Sequence, residues 1–276
     1  PINYASLPEL SRLTTPEAEE FGELWLEWTS ARVLEIVQRM AELCEEQSDV
    51  EFEVIYKQGI KHPNSDVRVA SLKGLEETDD RALVRPLIEM MKSDPEIEVR
   101  AAAGIPLTYL ASMAEMGKLT ERYKKILFDS LYSVLEDERE VLDVKLKALE
   151  AVSVFGGDRL VPYVDAALAS NDATARQSAL FAMGRTSDPK WVDKVAADLE
   201  HDLVSVRYEA TMAMGELGDE QHLKALEAPM DDADLTVQLA AISAVERIGG
   251  EIAKRMLELK LASPEPRVVD LVQQAL

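Results

Sequence analysis

Cysteine is nearly missing from this chain: Cys44 stands alone, so no internal disulfide and no thiolate zinc cluster is available. Aromatic residues make up only 5% of the 276 residues, which disfavours a sheet protein rich in aromatic and β-branched side chains. No apolar run reaches 18 residues and nothing resembles a secretory signal, so a cytoplasmic protein without membrane contact is expected. Basic residues are scarce, with 30 Lys plus Arg against 52 Asp plus Glu. The resulting formal charge of -22 opposes contact with nucleic acid or anionic lipid over most of the surface. Also missing are HExxH spacing around His62, His201 or His222, a GxSxG nucleophile turn, and the glycine-rich phosphate loops. Neither a metal nor a cofactor is implied, and no catalytic residue stands out.

What is present is repetition. Stepping by 31 residues from Arg207 reaches Lys145, Arg176, Gln238 and Val269 without an insertion, and earlier copies sit at Arg68 and Arg100. One residue before each reference position comes Val67, Val99, Val144, Ala175, Val206, Val237 and Val268. Three after it come Ser71, Ala103, Ala148, Ala179, Ala210, Ala241 and Val272; six after it come Gly74, Pro106, Ala151, Ala182, Ala213, Ala244 and Ala275. Seven after it come Leu75, Leu107, Val152, Met183, Met214, Val245 and Leu276. This i, i+4, i+7, i+8 pattern is one apolar face of an α-helix, with small residues where another backbone approaches. Gly218-Asp219, Asp188-Pro189 or Gly249-Gly250 then stops the helix and starts a second. The second helices carry Leu83, Leu87 and Met90; Val161, Val164 and Leu168; Val192, Val195 and Leu199; Leu223 and Leu226 on their apolar faces. A hairpin of about 30 residues cannot bury its own apolar face, so the expected fold is all-α, an α-α superhelix of stacked hairpins.

The phrase V-R-x-x-A-x-x-A-x-G followed by an Asp turn, clearest in "ARQSALFAMGRTSDP" and "VRYEATMAMGELGDE", resembles the HEAT-like repeat of the short kind found in phycobilisome lyases. The resemblance covers residues 63–276, with an extended repeat at 94–136 and a partial one at 264–276; residues 1–62 read as a helical cap and degenerate first repeat. Gln238 and Val269 lack the family's arginine, Lys145 replaces it, and Glu76 and Glu246 stand where Gly184 and Gly215 do. The resemblance implies that the arginines pair with an acidic residue near the preceding turn. Asp172 before Arg176 and Glu96 before Arg100 fit by spacing, so the arginines read as stacking elements.

Two regions depart from the repeat. Residues 108–121 lengthen one first helix, kinked at Pro106, and offer Tyr109, Met113 and Met116 as an adaptable surface or as packing. Thr15 is the expected N-cap of the first long helix, with Pro16 behind it and Phe21, Trp25 and Trp28 on one stripe; Phe52, Ile55 and Tyr56 should face inward from the next. The stripe reads as an end cap, with a recognition hot spot as the alternative.

Against the acidic background, basic residues collect in the opening turns of the second helices: Arg81 and Arg85, Arg122, Arg159, Lys190 and Lys194, Lys224 and Arg255. Tyr163 and Trp191 share those columns. The HEAT-like resemblance implies that second helices line a concave, partner-holding surface. These ten residues are therefore the candidate site of a non-catalytic scaffold for a protein or peptide partner, one with an acidic segment if the cations are free. The bland alternative is that the cations only neutralise nearby carboxylates. The lyase resemblance implies a second function, a bilin lyase or isomerase with Tyr163, Trp191 and Arg159 against an open-chain tetrapyrrole. DNA glycosylases of HEAT-like repeats suggest a third, which the charge disfavours.

Overall fold

The computed structural model describes residues 4–276. They form α-helices and short 3-10 turns, with no strand among the described residues. The chain divides into two compact units, the first ending at Val152 and the second spanning Ser153–Leu276. The first contains α1 (Thr15–Leu24), α2 (Ser30–Glu46), α3 (Glu53–Gly59), α4 (Ser65–Gly74), α5 (Val84–Ser93), α6 (Ile97–Ala102), α7 (Gly104–Glu115), α8 (Glu121–Glu136) and α9 (Leu142–Val152). The second contains α10 (Val161–Ala169), α11 (Ala173–Arg185), α12 (Val192–Ala196), α13 (Val204–Leu217), α14 (Glu227–Met230), α15 (Leu235–Ile248), α16 (Gly250–Lys260) and α17 (Pro266–Ala275).

The repeat columns are the core. Every residue of the columns beginning at Val67 and at Ser71 is fully or almost fully buried. The Leu75 column is buried as far as Val245, while Leu276 is 48% exposed. Small side chains let first helices touch: α11 packs on α13, and α13 on α15. At Gly215 an added Cβ would sit 2.7 Å from the Cα of Ala244, and at Gly184 it would sit 3.0 Å from that of Ala213.

The second helices α12 and α14 are short and follow 3-10 turns, at Pro189–Trp191 and Glu220–Leu226, whereas α16 follows α15 directly. Asp188 and Asp219 cap those turns by accepting from the Lys190 and Gln221 amides. Gly249 (φ +69°) and Gly250 (φ +91°) supply the left-handed backbone between α15 and α16. Leu83 and Leu87 face inward as expected, but Met91 is buried and Met90 only half-buried, the inward face running through Val84, Leu87 and Met91 at i, i+3 and i+7.

Between α6 and α7 the helix breaks at Ala103, one turn before Pro106, whose missing N–H would have bonded to Ala102. Met116 at its far end is 67% exposed; Tyr109 and Met113 are half-buried. The N-cap of α1 is Thr14 rather than Thr15: the Glu17 carboxylate accepts from the Thr14 amide (2.8 Å) and hydroxyl (2.7 Å). Phe21 packs against Trp25 and Trp28 at ring distances of 5.3 and 5.8 Å, and Trp25 is 1% exposed. The Arg32 guanidinium covers Trp28 at 4.6 Å. Phe52, Ile55 and Tyr56 are all buried.

His62 links this cap to the repeats. Its Nδ1 accepts from the Asn64 amide at 3.1 Å, and Asn64 caps α4 through the Val67 amide. Burial and the neighbouring Arg68 guanidinium push the imidazole pKa below its ordinary value. Unfolded chains take up this proton as pH falls below about 6.5, while the folded state resists, so His62 costs stability over that interval. His62→Asn keeps an acceptor for the turn and should flatten the fall in urea midpoint of the first unit between pH 7 and 5. An unchanged pH slope in the variant removes this account.

Candidate interaction surfaces

Four arginines of the repeat phrase are consumed by stacking. Arg68 donates to both oxygens of Asp94 (3.0 and 2.8 Å) and, through Nη1, to the carbonyls of His62 and Pro63. Arg100 pairs with Glu140 at 3.2 and 3.0 Å and reaches the Asp94 carbonyl at 2.9 Å. In the second unit, Arg176 forks onto Asp198 at 2.9 and 2.7 Å, and Arg207 onto Asp232 at 2.6 and 2.9 Å. Each guanidinium thus takes at least one carbonyl from the chain just before its own helix and a carboxylate from the segment that leads into the next hairpin. The expected pairing with the preceding turn's acid is incorrect: Asp172 instead caps α11, accepting from the Thr174 and Ala175 amides, and Glu96 makes no side-chain cap. The Arg207 fork holds the Asp232 carboxyl below the usual carboxylate range. Gln238 replaces an arginine and keeps half of its task, donating to the Asp232 carbonyl at 2.5 Å.

The basic second-helix starts divide into two groups. Lys190 lies 2.9 Å from Asp188 and 3.5 Å from Asp158, and Lys194 lies 2.5 Å from Asp165, so both are spent between neighbouring hairpins of the second unit. The Asp188 hydrogen bond raises the Lys190 pKa. Their ammonium groups lie over the Trp191 ring, at 5.2 and 4.9 Å from its centre, and Trp191 is only 2% exposed. It is a core residue, contrary to its expected place on a binding surface: the 3-10 turn points its ring inward beneath the two lysine stems. Its Nε1–H has no acceptor among the described residues.

Five others are free. Arg81, Arg85 and Arg122 of the first unit, and Lys224 and Arg255 of the second, are exposed and make no ion pair among the described residues. Arg159 is exposed and Tyr163 half-buried at the start of α10. Two further features escaped the sequence reading. A groove of about 150 Å³ between α11 and α13 is lined by Phe181, Tyr208 and Met212 and closed at one end by Glu216, which pairs with Arg247 at 3.2 Å and Arg185 at 4.0 Å. These side chains occupy the outward columns of the first helices, a signal the 31-residue alignment already contained. The other is a cavity of about 290 Å³ in the first unit bounded by α1, Gln58, Lys61 and His62. No group of His, Cys, Asp or Glu among the described residues is arranged to hold a metal, and no helix among them is long and apolar enough to cross a membrane.

The family model for HEAT repeats matches residues 160–246 and 192–276. No curated protein matches the chain. Among solved structures, YibA of Escherichia coli is similar at 16% identity and a TM-score of 0.50, covering 99% of this chain and 95% of its own. Kap95p, whose binding drives the switch loops of RanGDP into the GTP-bound conformation, is similar at 13% identity and a TM-score of 0.52. That match covers 99% of this chain but 42% of Kap95p. Human deoxyhypusine hydroxylase gives 16% identity and a TM-score of 0.40, covering 95% of both chains.

Proposed function

We propose that this HEAT-like repeat protein is a non-catalytic scaffold that holds a partner polypeptide against the cation-bearing starts of its second helices. The observation that carries the reading is the contrast between its two sets of cations. Arg68, Arg100, Arg176 and Arg207 are locked into ion pairs that join hairpins, whereas Arg81, Arg85, Arg122, Lys224 and Arg255 are exposed and unpaired. Unpaired cations on a chain of charge -22 attract an acidic segment and repel a basic one locally. Kap95p, of the same fold, engages the protein RanGDP, which supports a protein partner. Lys190, Lys194 and Trp191 are left out of the site, being spent in internal contacts.

Arg81→Glu with Arg85→Glu tests the first unit, and Lys224→Glu with Arg255→Glu the second. With the native partner captured and identified, each pair is expected to slow association about tenfold and to flatten its salt dependence. Unchanged association for both pairs would remove the cationic surface from the function.

A further inference from the structure

The first unit has a polar feature that stacking does not use, away from the cationic helix starts. His62 is 4% exposed and lines the 290 Å³ cavity beside α1. Because Nδ1 accepts from the Asn64 amide, the ring hydrogen resides on Nε2, and nothing among the described residues accepts it. With the ring 4% exposed and lining this cavity, the Nε2 donor is open to whatever occupies the space, and a ligand oxygen can accept it in place of water.

The opposite wall carries the complementary charge. Glu19 and Glu23 stand one helical turn apart on α1, both exposed and outside any ion pair among the described residues. The segment 15–27 contains Glu17, Glu19, Glu20, Glu23 and Glu27 and no basic side chain. Lys61 is on the far wall, its Nζ donating to Gln58 Oε1 at 3.2 Å. Leu26, 55% exposed, forms an apolar lip, and the buried Trp25 indole meets the His62 ring edge-on at 6.0 Å. The volume is at the low end of the roughly 300–1,000 Å³ typical of small-molecule pockets, which suits one side chain better than an extended cofactor.

We propose that this cavity binds a single lysine or arginine side chain of a partner polypeptide. Glu19 and Glu23 receive the cationic head through charge-assisted hydrogen bonds, Leu26 covers the alkyl stem, and His62 Nε2–H donates to the backbone carbonyl of the same residue. The site is independent of the cationic helix starts, so its failure leaves the scaffold reading untouched.

The test uses the full chain titrated with acetyl-Ala-Lys-Ala-amide and with the norleucine and glutamate analogues, followed by NMR of the imidazole resonances. The lysine peptide should move the His62 ring saturably and leave His201 and His222 in place, while the other two peptides should move none. Glu19→Gln with Glu23→Gln should weaken binding about tenfold. Glu76→Gln with Glu77→Gln removes the same charge from exposed positions elsewhere in the unit and should retain native affinity. Equal response to all three peptides, a motionless His62 ring, or equal loss in the Glu76/Glu77 control would overturn the assignment.

Discussion

Arg176→Ala lowers the stability of the second unit by about 2 kcal/mol, the expected result of stripping a guanidinium whose side chain is 31% exposed from the buried carboxylate it covers. Asp198 is 1% exposed, and its two oxygens receive the Nε and Nη2 donors of Arg176 at 2.9 and 2.7 Å. Truncation leaves a carboxylate out of water with no counter-charge. Arg176→Lys restores the charge but not the planar fork, so it should fall between the two. Arg176→Met combined with Asp198→Leu removes both charges from the buried contact and should recover most of the loss. Urea unfolding monitored by circular dichroism measures these chains together with the single Arg176→Met and Asp198→Leu variants, and the cycle they complete is expected to give a coupling energy above about 1 kcal/mol. A loss below about 1 kcal/mol for Arg176→Ala would show that Asp198 finds another donor or reaches water.

Gly215→Ala is the second large effect, and its sign decides between two opposing terms. Alanine in a helix interior is favoured over glycine by about 1 kcal/mol. Here the new Cβ would lie 2.7 Å from both the Cα and the Cβ of Ala244 on the packed α15. Overpacking of this kind costs about 1–3 kcal/mol, and a backbone atom cannot swing aside as a flexible side chain does. A net loss of about 1–2 kcal/mol is expected for Gly215→Ala. Gly184→Ala meets Ala213 Cα at 3.0 Å, a softer contact, and should come out nearer to balance. The two urea midpoints, compared in one background, settle the ordering; a stabilised Gly215→Ala would mean that α13 and α15 separate freely.

First-helix positions were legible in the sequence because burial there repeats with the chain. The Val67 and Ser71 columns are apolar or small in every copy, and every member is buried. Side-chain partners were less legible. The carboxylates that receive Arg68, Arg100, Arg176 and Arg207 lie 26, 40, 22 and 25 residues ahead, so no fixed spacing points to them. Reading backward to Asp172 was reasonable on separation alone, yet that side chain is taken by the amides of its own helix. Trp191 illustrates a different limit. In a 3-10 turn the helical wheel no longer tells which face a residue occupies, and the ring turned inward. His62 read as a lone histidine near a turn; its open Nε2 becomes visible only when Asn64 is seen to occupy Nδ1.

The forward-reaching arginine also bears on how such a chain changes length. In the second unit, Arg176 and Arg207 are 31 residues apart, and each meets an aspartate in the segment leading into the next hairpin. Unequal crossing-over between two such copies would insert or delete one whole hairpin and still set a guanidinium opposite a carboxylate at the new seam. Where the joint falls outside offsets 22 to 24 from the arginine, the event would strand no charge, and it would shift no helix face. The 45-residue interval from Arg100 to Lys145 is different, since its acceptor is the longer Glu140 and lies 40 residues ahead. Gene duplication would therefore find its tolerated joints among the regular hairpins, and that interval would persist as a fixed landmark.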